Sequence, residues 1–115
     1  MKRLFFASVA VAGLLSACAH TRPIDADMGK VESPIRAAEE MGANQVPNAA
    51  LHIQFAKDQL AKAQQLEKDG EKRRAQMMLL RAQADAELAL ALTRDSKTQA
   101  EVQQLIDSTT STSAQ

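Results

Sequence analysis

The chain has 115 residues, with 14 Lys and Arg against 14 Asp and Glu and therefore no net charge. That balance argues against nucleic acid as a partner, because phosphate recognition needs clustered basic side chains. Its aromatic residues are three phenylalanines, too few for a platform on which sugars or bases stack, and its length suits one small domain rather than two cores.

The first segment opens with Met1-Lys2-Arg3 and continues as an apolar run from Leu4 to Leu15. This run is short of the ~20 residues needed to span a bilayer and has the form of a cleavable export signal. It closes with Leu15-Ser16-Ala17-Cys18, which resembles the lipobox of bacterial lipoproteins. The resemblance implies a diacylglyceryl group on the Cys18 sulfur, removal of residues 1–17, and a triacylated Cys18 as the first residue of the mature chain. Ala19 occupies the position that influences sorting in such proteins, where an aspartate favours inner-membrane retention. The implied address is the periplasmic face of the outer membrane. Two or more acyl chains, at ~0.8 kcal/mol per buried CH₂, would anchor the chain without a spanning helix. With Lys2 and Arg3 removed, 12 basic residues face 14 acidic ones, a net charge of −2. Cys18 is the sole cysteine, so no disulfide is expected. The covalent lipid is the only non-protein group expected, with no cofactor beside it.

Residues 18–32 show no sustained period and contain Pro23 and Gly29, so they are expected to form a lipidated, flexible tether. Ser33-Pro34 has the form of an N-cap followed by proline at the first helical position, and Gly42 the form of a C-terminal stop, which predicts a short helix between them. Pro47 breaks the chain, and Asn48 is expected to cap a second helix reaching about Asp69. In that helix Ala49, Ile53, Ala56, Leu60 and Ala63 recur at steps of four and three and form one narrow stripe. Asp58 and Lys62 stand in the acid-first i,i+4 order that favours pairing, and Asp69-Gly70 signals a reversal.

From Glu71 to about Asp107 there is no Gly or Pro, which predicts one long helix. It carries two apolar faces. Ala75, Met78, Leu79, Ala82, Ala86 and Ala89 form the first; Met77, Leu80, Ala84, Leu88, Ala91, Val102 and Ile106 form the second, nearly opposite. A helical hairpin buries only one of them, so the second requires the Ser33 helix, another copy of the chain or a partner. Residues 108–115 are polar and expected to be disordered. The expected fold is all-α: an antiparallel helical hairpin with one long helix, extended to a three-helix bundle if the Ser33 helix packs on it. The alanine-rich helical domain spans residues 33–107.

Val46-Pro47, Ala56, Leu60, Ala63, Gly70, Ala75 and the run Gln83-Ala84-Asp85-Ala86-Glu87-Leu88-Ala89 together resemble an alanine-rich helical domain of unknown function found in proteobacterial envelope lipoproteins. The resemblance implies a role in the cell envelope.

Neither histidine, His20 or His52, has the His-x-x-x-His or Glu-x-x-His spacing that sets several ligands on one face, so no metal site is expected. Asp85 and Glu87 are two apart on a helix and point away from each other, so they cannot act as an acid–base pair. Asp85 is expected to pair with Arg81 one turn earlier. Met77 and Met78 are expected to fill the core rather than line a groove. No nucleophile has a general base near it in sequence and no glycine-rich phosphate loop is present, so neither an enzyme nor a small-molecule binder is expected. The expected protein is a lipid-anchored envelope component that works by contact, with an envelope protein or with itself, through Met77, Leu80, Ala84, Leu88 and Ala91. The alternative is a homo-oligomeric coiled-coil lipoprotein that stabilises the outer membrane.

Overall fold

The computed structural model describes residues 24–113, so the signal segment, Cys18, Ala19 and His20 lie outside the described residues. Three helices, α1 (Ile24–Glu40), α2 (Pro47–Lys68) and α3 (Lys72–Ser113), form an all-α bundle, and a short 3₁₀ turn, Ala43–Gln45, joins the first two. Helices α2 and α3 form the antiparallel hairpin, and α1 lies mainly against α3.

The hairpin closes where glycine permits it. Gly70 has φ +79°, its N–H donates to the Glu67 carbonyl (2.9 Å), and the Glu71 N–H donates to the Leu66 carbonyl (2.8 Å). These are the paired bonds of a Schellman motif, which satisfies the last carbonyls of α2 and turns the chain back. Gly42, at φ +92°, stops α1 in a similar left-handed conformation, as its position in the sequence predicts.

Packing follows the small-residue seam. Ala49, Ile53, Ala56, Ala63 and Leu66 are buried on α2; Ala75, Leu79, Ala82, Ala86, Ala89 and Thr93 are buried on α3. The α3 set advances in steps of four and three without interruption, the heptad spacing that keeps one stripe against a neighbouring helix. Alanine at most of these positions lets the helix backbones approach closely.

Several expectations change. Helix α1 begins nine residues before the expected Ser33 cap and includes Gly29 and Pro34, so much of the expected tether is helical. The cause is tertiary: Met28, Val31, Ile35 and Ala38 are spaced three, four and three, and Val31, Ile35 and Ala38 are buried in the common core with Met28 packed against it. Burial of that stripe outweighs the helix-breaking tendency of Pro34. Asn48 does not cap α2. Pro47 is itself the first helical residue, with extended Val46 before it and no side-chain cap. Asp58 accepts a hydrogen bond from Gln54 (2.8 Å) rather than pairing with Lys62.

The tail expected to be disordered continues α3 to Ser113. Its hydroxyls donate to carbonyls three or four residues back, as in Ser108 to Leu105 (2.9 Å) and Thr112 to Ser108 (3.0 Å). These local bonds satisfy side chains that have nothing to pack against. Beyond Thr93 the seam positions are Ser96, Ala100, Gln103 and Asp107, and every residue from Lys97 to Ser113 is exposed. Residues 94–113, ~30 Å of helix at 1.5 Å per residue, therefore project past the bundle with no neighbouring helix among the described residues.

Candidate interaction face

The two apolar faces of α3 have different fates. The first is closed by α1 and α2. On the second, Met77 is 60 % exposed, Leu80 67 % and Leu88 43 %, with Ala84 and Ala91 also exposed. All five residues singled out in the sequence thus lie on an uncovered surface. Farther along, Val102, Leu105 and Ile106 are exposed as well. Helix α1 does not cover this face, since its Val31, Ile35 and Ala38 enter the core on the other one. Of the three ways to bury the second face, another copy and a different partner remain.

A polar crossing flanks the seam between α2 and α3. Asp85 accepts one hydrogen bond from Gln59 Nε2 (2.7 Å, to Oδ2), and its Oδ1 lies 2.7 Å from His52 Nδ1. His52 also meets the Phe55 ring edge-on, with centroids 5.9 Å apart. Asp85 therefore reaches across to α2 rather than back to Arg81 on its own helix. It directly precedes Ala86, a seam residue, which places it at the edge of the interface and within reach of α2. Spacing within one helix cannot reveal this, because His52 and Gln59 are 33 and 26 residues away in the chain. Gln59 Oε1 is buried and unpartnered among the described residues.

The physical effect of the crossing is to fix register. An alanine stripe is nearly uniform along its length and slides at little cost, whereas a slide of one turn would separate Asp85 from both His52 and Gln59. Asp85→Ala is expected to lower stability by about 1–3 kcal/mol by leaving the amide and imidazole unpaired. In a double-mutant cycle with His52→Ala the two losses should fail to add, with a coupling of about 0.5–3 kcal/mol in urea unfolding. Additive losses would remove the crossing from the account of register.

At the hairpin end Lys62, Leu66, Arg74, Met77, Met78 and Arg81 line an open groove of about 180 Å³. Met78 is half-buried and packs on the core as expected, but Met77 faces solvent and is part of the groove wall instead. This volume is below the ~300–1,000 Å³ of pockets that enclose small molecules. Among the described residues there is no group of three or more His, Cys, Asp or Glu that could hold a metal, and no helix long and apolar enough to cross a membrane.

Residues 26–105 match the profile of a family described as a domain of unknown function (DUF4398), which is more than half of the chain. The chain belongs to this family. No curated protein and no solved structure matches it. The family match begins near the start of α1, where the sequence suggested a tether, and runs to Leu105, well past the last buried residue of α3. The projecting part of α3 is thus largely within the domain that defines the family.

Proposed function

We propose that this member of the family is a lipid-anchored component of a bacterial cell envelope, held through acylated Cys18 on the periplasmic face of the outer membrane. In this reading it is non-catalytic and works by protein contact. The sequence Leu15-Ser16-Ala17-Cys18 after a basic start and an apolar run supports the anchor, and Ala19 supports the outer-membrane address. The observation that carries the contact role is the uncovered apolar face of α3. Met77, Leu80, Ala84, Leu88 and Ala91 remain open although α1 and α2 have already closed the core. A folded chain that leaves such a face to solvent is suited to bury it against another protein.

A Cys18→Ser chain is expected to lose all incorporation of labelled palmitate and to move from the membrane fraction to the soluble periplasmic fraction. Such a result follows from the energetics of acyl burial, since no other element among the described residues is long and apolar enough to span the bilayer. Palmitate label retained without Cys18, or a wild-type chain recovered in cytosol, would overturn the anchor.

A further inference from the structure

The uncovered face of α3 presents a pattern that reads the same from either end. At alternating steps of three and four its residues are Leu88, Ala91, Asp95, Thr98, Val102 and Leu105: two apolar, two polar, two apolar. A helix face of this kind complements itself about a two-fold axis passing between Ser96 and Lys97, and two-fold axes are the commonest way in which identical chains associate.

We infer that the occupant of this face is a second copy of the chain, paired antiparallel along α3. Leu88 of one copy meets Leu105 of the other with Ile106 beside it, Ala91 meets Val102, and Asp95 meets Thr98. Each contact occurs twice. The Thr98 hydroxyl can donate to the Asp95 carboxylate, which already accepts Gln99 Nε2 at 2.9 Å. On one flank Arg94 of one copy lies against Glu101 of the other, also twice. Both side chains are exposed, and the ion pairs among the described residues leave both without a partner.

Charge decides the direction. A parallel pair would set Asp95 against its own copy in the middle of the seam and would bring Arg94 no acidic neighbour, so repulsion replaces attraction. Length points the same way. A helix segment with no tertiary partner is marginal in water, and residues 94–113 have none among the described residues. The antiparallel register lays the projecting segment of each copy along the uncovered Leu80–Ala91 face of the other, an overlap of ~50 Å. Each copy thus supplies the surface that the other lacks. This inference rests on the reading of the outer face of α3 as the contact surface, and is independent of the lipid anchor.

The test uses full-length chains. Two tagged versions, one Leu88→Cys and one Leu105→Cys, are expressed together and oxidised mildly, with the chain lacking added cysteines as control. The expected product is a disulfide between the two versions. Leu88→Cys alone should give none, because in this register the two copies of position 88 stand about 25 Å apart. Arg94→Glu should reduce the crosslinked fraction several-fold, and Arg94→Glu with Glu101→Arg should restore it. A crosslink between two copies of Leu88→Cys would show parallel pairing and overturn the inference, as would failure of the charge reversal to restore the product. Absence of any self-crosslink would overturn it too. Crosslinking of Leu105→Cys to a different protein would overturn the second copy as occupant while leaving the outer face of α3 a contact surface. Palmitate labelling reports separately on the anchor.

Discussion

Replacing Leu79 with alanine is expected to lower the unfolding free energy by about 2–5 kcal/mol, the range for deleting a buried leucine side chain. The effect should be large for this fold because of what its core contains. Of the 14 buried apolar residues among those described, nine are alanine, and Val31, Ile35, Ile53, Leu66 and Leu79 are the larger ones. Leu79 is 3 % exposed and sits on the inner face of α3 between Ala75 and Ala82. Native domains are stable by about 5–15 kcal/mol, so the loss of one of five large core side chains takes a major part of the total. The neighbouring residue provides the control. Leu80 is 67 % exposed on the opposite face, and Leu80→Ala should change stability by no more than about 0.5 kcal/mol. Urea unfolding of both variants at a concentration where the wild type is monomeric makes the comparison. A larger loss at Leu80 than at Leu79 would mean that the inner and outer faces of α3 are assigned the wrong way round.

The second large effect has the opposite sign of volume. Ala86→Leu is expected to destabilise by about 1–3 kcal/mol by overpacking the seam. Ala86 has no exposed surface, and three added carbons at that point must separate the helices or force neighbouring side chains from their rotamers. Helix propensity does not explain such a loss, because leucine is nearly as favourable as alanine in a helix. Ala84→Leu, on the exposed side two residues earlier, makes the same chemical change and should leave the melting temperature of the monomer almost unaltered. Equal effects at 84 and 86 would show that close approach of the helices is not what alanine provides here. Overpacking at Ala86 should also disturb the adjoining crossing of Asp85 with His52 and Gln59, so the two variants separate seam packing from register control.

A core so rich in alanine has a consequence for function. It holds three helices close together with little buried volume, and so leaves a slender body in which much of each helix is surface. The bulky apolar residues of α3 that a larger core would have absorbed, Met77, Leu80 and Leu88, stay outside. Beyond Thr93 the helix carries Val102, Leu105 and Ile106 into solvent with no seam beneath them. The proposed contact role and the antiparallel pairing both arise from this distribution. Stability is concentrated on one side of α3, and the capacity to associate on the other.

Period and punctuation in the sequence are enough to define the hairpin. The four-three spacing of Ala49, Ile53, Ala56, Leu60 and Ala63, the Asp69-Gly70 reversal and the two faces of α3 are local properties of a helix, visible wherever side chains repeat at about 100° per residue. The start of α1 has the same kind of spacing at Met28, Val31, Ile35 and Ala38, but Pro23 and Gly29 point to a tether and Ser33-Pro34 to a later helix start, and only burial against α3 overrides them. The lipid site at Cys18 remains a reading of sequence, as it lies outside the described residues. Tertiary structure alone decided that α1 takes the inner side of α3, that Asp85 bonds His52 and Gln59, and that α3 extends past its neighbours. Each of these depends on which residues far apart in the chain come together, and a helical repeat specifies a face without naming what will cover it.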